Sequence, residues 1–377
     1  MLSKGTETLK GFHSFLSSQL RVSRPANGIS QFENPIIKKI PQDFLVSESL
    51  ILPPCPNVAD ARYSYFKMTK SGFTTFQAIE VISRHFSLTH NQISFAGLKD
   101  EDAVTEQMIA IEGRVPLASL NLFNGKYMED AQAFIRLSPC AVGDERIGIG
   151  ELNGNGFRVV VRNLSPRFIE RCPSSRRFMF HFINYYDTQR FGVAQGAKVS
   201  HLIGEALLRN DYETALNILR LAGTPEAQTA REFGGEPEMF FQSLNARLFN
   251  FFKGSYTSHV WNKTLAGVVR QVCGHESYVI ENDGIPFLLT SKQSLVLSVL
   301  QRQRVLDHTK FYDENERGKG VPKPRSTVVQ TQILCNGIEE DDLHHGAFKC
   351  QLSFFLPPGC YATMCIKQLV NTLDINL

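Results

Sequence analysis

The sequence predicts an α+β fold in which one domain is inserted into another, and three observations predict it. From about Pro35 to Gly192, short β-branched and aromatic runs alternate with a helical pattern. After Gly192 the texture turns helical, then polar and turn-rich, and from Cys350 the strand-then-helix style returns. The third observation is size: 377 residues are long for one hydrophobic core and comfortable for two.

Taken in order, residues 1–30 are irregular, carry Lys4, Lys10, Arg21 and Arg24, and lack a continuous apolar stretch. They read as a frayed terminus rather than a secretory signal, although an organelle-targeting segment shares that composition. Residues 36–48 read as extended and 63–68 as a strand. Gly72 marks a turn, and Thr75 is the expected N-cap of a helix whose Phe76, Ile79, Ile82 and Phe86 recur at helical spacing. Residues 93–97 form the next expected strand, 108–112 its neighbour, and 157–161 another. Residues 200–221 read as two helices and 239–252 as a further one. Arg317-Gly318-Lys319-Gly320 and Pro322-Lys323-Pro324-Arg325 read as polar turns. Residues 352–356 form the last strand, Pro357-Pro358-Gly359 a turn, and Cys365, Ile366, Leu369 and Leu373 one face of a closing helix. The expected domains are 31–194 with 341–377, and an insertion at 195–340.

Composition excludes more than it selects. A net charge of +3 permits a basic face without requiring one. No apolar run approaches the ~18 residues of a membrane helix. The eight cysteines form no C-x-x-C pair and the histidines no H-x-x-x-H pair, so neither zinc nor another metal is expected. Scattered cysteines in a long chain read as reduced and intracellular. His344 and His345, after the acidic run Glu339 to Asp342, read as a solvated loop.

The chemistry lies in three stretches that are ordinary when taken singly. Ser94 to Asp100 is a strand ending in two charges, where an acid is usually a turn residue or an ion-pair partner. Asn155-Gly156-Phe157 is an Asn-Gly turn entering a strand. Asn184 to Gly192 is a polar, aromatic loop.

Together, and in order, they resemble the TruD family of pseudouridine synthases. The blocks are Lys38 with Pro41-Gln42-Asp43-Phe44, Val46 and Glu48; Lys70 with Gly72 and Thr75; A-G-L-K-D-x-x-A-V-T-x-Q from Ala96 to Gln107; Asn155 with Phe157; N-Y-x-x-x-Q-R-F-G from Asn184 to Gly192; and Leu356 to Thr363, similar to L-P-x-G-x-[FY]-A-T. The resemblance implies a mixed, mostly antiparallel sheet flanked by helices, with an inserted α+β domain. It also implies isomerisation of uridine in RNA, transfer RNA first among the candidates. That reaction needs no cofactor, because an ionised carboxylate serves as nucleophile. Asp100 matches the nucleophile and Phe157 the ring that stacks on the flipped base. Phe44 and Tyr361 match the walls, and Asn155 a group orienting Asp100 or the base edge. Lys38, Lys70 and Lys99 match phosphate or carboxylate partners, roles for which an ordinary surface lysine is the competing reading. Arg317 to Arg325 is the candidate RNA contact of the insertion.

Three departures from the pattern stand out. Glu101 and Asp102 follow Asp100 where a basic residue is expected. Lys367-Gln368 replaces Arg-Glu, which predicts a missing ion pair, and Gln42 stands where Glu is common. The competing function is an RNA-binding protein or chaperone that keeps the fold without catalysis.

Overall fold

The computed structural model describes residues 35–374, apart from 53–54, 56, 129, 131–132, 174–176, 193–195, 291, 303–304 and 312–316. The expected irregular segment 1–30 lies outside the described residues. By contacts the chain forms two compact units, Ser30–Phe180 with Gln330–Ala362, and His181–Val329 with Thr363–Leu377. These limits differ from the segments read in the sequence: the first unit ends at 180 and resumes at 330, and the closing helix belongs with the second unit.

The described strands are β1 Phe44–Ser49, β2 Tyr63–Ser71, β3 Ile93–Phe95, β4 Val104–Glu112, β5 Phe134–Gly143, β6 Gly154–Leu164, β7 Arg177–Ile183, β8 Ser277–Asn282, β9 Ile285–Thr290, β10 Val305–Phe311, β11 Gly320–Ser326, β12 Val328–Glu340 and β13 Phe348–Leu356. One sheet runs β5-β2-β4-β1-β6-β13-β12-β7, with β3 on β4. It ends on β7, the strand in which the chain passes from the first unit to the second. β1 and β4 pair in parallel, whereas β2–β4, β2–β5, β1–β6 and β6–β13 are antiparallel. The sheet is therefore mixed and mostly antiparallel, as expected.

Register decides what shares a face, since paired residues point the same way. Lys70 lies opposite Thr105, Thr105 opposite Val46, Val46 opposite Phe157, and Phe157 opposite Phe354. Helices Thr75–Phe86 and Leu117–Tyr127 cover one end of this face, packing Ile79, Ile82, Leu120 and Phe123 on Phe66, Met68, Ile109 and Ile135. The first helix is capped by Thr74, not Thr75. The Thr74 hydroxyl accepts from the Gln77 amide at 3.2 Å, while the Gln77 side chain returns to the Thr74 amide. Phe76 faces outward, and Ala78 takes its expected place in the core.

Ahead of β1, residues 36–43 are not one extended run. Ile36 bridges to Arg162, and Pro41–Asp43 forms a 3-10 turn. Arg162 grips Asp43 with two bonds of 2.8 and 2.9 Å and reaches Asp341 and Asp342 at 3.0 and 2.7 Å. The acidic run read as a solvated loop thus supplies partners to a buried guanidinium.

In the second unit, helices Ser200–Leu208, Tyr212–Arg220, Pro225–Glu232, Pro237–Ser243 and Ala246–Cys273 enclose a core of Ile203, Leu216, Phe240, Phe241 and Phe252 among others. The motif from Asn184 to Gly192 is its hub. The indole of Trp261 donates to the Asn184 carbonyl, Asn262 exchanges two hydrogen bonds with the Tyr186 backbone, and Ser255 donates to the Arg190 carbonyl. Helix Ala362–Asp374 docks on the same stretch, where Gln368 bonds both polar groups of the Ile183 backbone. Lys367 pairs with Asp187 at 2.8 Å. The last helix, where an ion pair was expected to be missing, thus carries one. Residues 320–326, expected as turns, form β11 against β10. Within it Arg325 is buried, 3.8 Å over the Tyr186 ring and 3.0 Å from Asn184 Oδ1.

Candidate active site

The loop between β3 and β4 carries Asp100, and side chains from three elements hold its backbone. Gln107 on β4 donates to the Gly97 carbonyl at 2.9 Å. The Thr75 hydroxyl, freed from capping, donates to Gln107 Oε1 at 3.1 Å and accepts from the Lys99 amide at 2.9 Å. The Gly72 amide donates to the Glu101 carbonyl at 3.1 Å. The Lys70 ammonium reaches the carbonyls of Phe73, Lys99 and Asp100 at 2.8, 3.4 and 2.8 Å. The spacing from Gly97 to Gln107 now has a cause: the chain turns back so that the last residue of the motif closes on its second.

Held this way, the Asp100 side chain is 41% exposed, while its backbone is fixed from below. Its carboxylate pairs with the Lys38 ammonium, which lies 4.5 Å over the Phe44 ring. Lys38 has φ of 62°, a left-handed conformation that costs a residue with a Cβ about 1 kcal/mol. Arg162 holds the chain on both sides of Lys38, its backbone bridging to Ile36 and its guanidinium pairing with Asp43.

The aromatic part of the face is compact. Phe157 stacks on Phe354 with centroids 5.5 Å apart at 24°, and meets Phe44 edge-on at 6.0 Å. Phe44 and Phe354 are buried, whereas Phe157 is half-buried. Asn155, two residues earlier on the same face, has a buried Oδ1 with no hydrogen-bond partner among the described residues. An unpaired buried acceptor is costly, and this one lies on the face that carries Phe157. Tyr361 is half-buried in the turn after β13, whose last residue, Leu356, pairs with Asn155.

The lysines part company. Lys38 joins Asp100. Lys99 turns away from solvent to pair with Glu48, the two side chains being 6% and 0% exposed, and Glu48 also accepts from the Met108 amide at 3.2 Å. Lys70 is fully buried, and burial pushes its ammonium down to about 8. Glu101 and Asp102 are exposed beside Asp100. Phe354 and Gln107 carried no individual role in the sequence reading. The signal for Phe354 was its place in the 352–356 strand at the parity of Leu352 and Leu356, and for Gln107 its closing position in the motif. Among the described residues no group of three or more His, Cys, Asp or Glu is arranged to hold a metal ion, and no helix is long and apolar enough to cross a membrane.

Residues 33–234, more than half the chain, match the family model described as tRNA pseudouridine synthase D (TruD). The chain belongs to the TruD family of pseudouridine synthases. It is 29% identical to the tRNA pseudouridine synthase D of Syntrophotalea carbinolica, over 89% of this chain and 96% of that one. It is 24% identical to that of Aquifex aeolicus, over 88% and 97%. A crystal structure from Methanosarcina mazei titled as a TruD protein has the same fold, with a TM-score of 0.57 at 18% identity over 95% of this chain and 98% of that one. The match across whole chains includes the middle segment, so the TruD likeness extends through both units.

Proposed function

We propose that this TruD chain isomerises uridine to pseudouridine in transfer RNA inside the cell, with Asp100 as the nucleophile and without a cofactor. The observation that carries the reading is the Asp100 carboxylate itself: exposed, paired to Lys38, and mounted on a loop whose carbonyls and amides are tied down from Gly97 to Glu101. The reaction breaks the bond from ribose C1′ to uracil N1 and makes one from C1′ to C5. The proton leaves C5 and N1 gains one, so nothing is oxidised and no group is supplied from outside. Asp100 attacks the nucleotide and leaves when the base has turned. Phe157 stacks on the extruded uracil, which offsets part of the few kcal/mol spent on unstacking. The free Oδ1 of Asn155 accepts from the uracil N3–H. Phe44 backs the Phe157 ring, and Tyr361 closes the end of the site. The middle segment is the family's insertion and contributes to the choice of RNA.

Asp100→Asn tests this. The amide is isosteric and a poor nucleophile, so turnover is lost while folding and RNA affinity persist. The readout is tritium release from transfer RNA transcripts labelled at uracil C5. A variant within about tenfold of wild type, some 1.4 kcal/mol of barrier, places the chemistry on another acid. A wild type that binds these transcripts without releasing tritium supports the non-catalytic alternative.

A further inference from the structure

Lys70 is a lysine without solvent, at 0% exposure on β2, and its partners are main-chain carbonyls rather than a carboxylate. Those carbonyls belong to Phe73, Lys99 and Asp100, and so to both sides of the nucleophile's loop. An ammonium carries three donors, one for each; a neutral amine carries two and presents a lone pair to the third. We infer that Lys70 is a positioning residue which fixes the Asp100 backbone through an internal ammonium, and that loss of its proton releases the loop and ends activity on the alkaline side. The inference rests on Asp100 being the nucleophile, and it removes Lys70 from the substrate contacts the sequence suggested.

The surroundings fit a charge kept close to its titration point. Burial pushes the Lys70 ammonium down to about 8, against the pull of Asp100 and Glu101 and with the repulsion of Lys99 and Lys38. Thr105 and Gln107, its neighbours on β4, are uncharged. Proton loss therefore falls at about pH 8, well below the ordinary 10.5 of a lysine.

The experiment follows single-turnover pseudouridine formation on unmodified transfer RNA transcripts from pH 6 to 10, for wild type, Lys70→Met and Lys70→Arg. Hydrogen-exchange protection of residues 97–101 is measured on the same proteins without RNA. Wild type is expected to lose rate and loop protection together above pH 8 while remaining folded. Lys70→Met is expected to be about 100-fold slower at pH 7, the effect of a nucleophile displaced by ~1 Å, with RNA affinity kept and no alkaline limb left. Lys70→Arg, charged throughout, moves the limb upward. A Lys70→Met enzyme with the wild-type rate and limb overturns the inference. If wild type makes no pseudouridine, the proposed function fails, and the exchange arm still decides: equal loop protection in wild type and Lys70→Met overturns the positioning role. If Lys70→Met does not fold, loop protection of wild type that stays constant through pH 8 overturns it.

Discussion

Phe157→Ala separates stacking on a base from packing in a core, and the structure supplies the magnitudes. A fully buried phenylalanine truncated to alanine costs about 3–5 kcal/mol. Phe157 is half-buried, and its packing lies in two ring contacts, with Phe354 at 5.5 Å and Phe44 at 6.0 Å. At about 0.5–1.5 kcal/mol per aromatic pair, plus partial burial, the expected loss of stability is about 2 kcal/mol. Phe354 is 6% exposed beneath it, so Phe354→Ala is expected at about 3–5 kcal/mol and serves as the packing control. Losing one base stack costs roughly 1–3 kcal/mol, or roughly 5- to 150-fold in single-turnover rate or RNA affinity. Urea unfolding and single-turnover rates on labelled transfer RNA measure the two effects on the same samples. Phe157→Ala destabilised as much as Phe354→Ala, with a wild-type rate in the folded fraction, refutes the stacking role and leaves Asp100 without a platform for its base.

Two further outcomes concern stability. Lys99→Met strands the Glu48 carboxylate with one amide donor in a buried site and is expected to cost about 3–5 kcal/mol in urea unfolding; the double variant Lys99→Met with Glu48→Leu recovers most of it, and a single-variant loss below about 1 kcal/mol contradicts the buried pair. Lys70 gives a pH dependence of opposite sign to its effect on activity. Its pKa is lower folded, about 8, than unfolded, 10.5, so the unfolded chain binds more protons between those values. The destabilisation is complete below pH 8 and disappears as pH rises to 10.5. The unfolding free energy of wild type relative to Lys70→Met should therefore rise by about 3 kcal/mol across that window, and a flat difference shows that Lys70 does not titrate there.

Much of the first unit was legible because its strands alternate cleanly and its motifs sit at strand ends. Asp100, Asn155 and Phe157 were singled out from their motifs, and register alone puts Asn155 and Phe157 on one face. The lysines were not legible in the same way. Lysine is rarely buried, and Lys70 and Lys99 are bonded by partners brought in from distant segments, the Lys99 and Asp100 carbonyls for Lys70 and Glu48 for Lys99. The cap was misread by one residue, although Thr74 and Gln77 carry the capping-box spacing. Helix Ala246–Cys273 was cut short at 252 in the reading because Gly254, Ser255, Thr257, Ser258 and Asn262 are poor helix formers. Tertiary bonding overrides that preference: Ser255, Ser258 and Asn262 bond Arg190 and Tyr186, and a Cβ at Gly254 would meet the Arg190 guanidinium at 2.6 Å. β11 was taken for turns on account of Pro322 and Pro324. A two-stranded ribbon tolerates prolines two apart when the N–H groups they lack all lie on one side.

The motifs divide by what their polar groups do. In Ala96 to Gln107 they shape a loop around one carboxylate and leave that carboxylate exposed. In Asn184 to Gly192, equally rich in polar and aromatic residues, they are consumed inside the second unit. Asn184 bonds Ser326 and Arg325, Tyr185 bonds Leu288, Asp187 takes Thr363 and Lys367, and Arg190 bonds Ser258. The first pattern leaves a reactive group over, and the second leaves none among these. A buried group whose bonds are complete fixes a shape, whereas Asn155 Oδ1 has no hydrogen-bond partner among the described residues. The proposed site at Asp100, Asn155 and Phe157 follows the first pattern, and the density of polar residues in a motif says little about whether it leaves a group over.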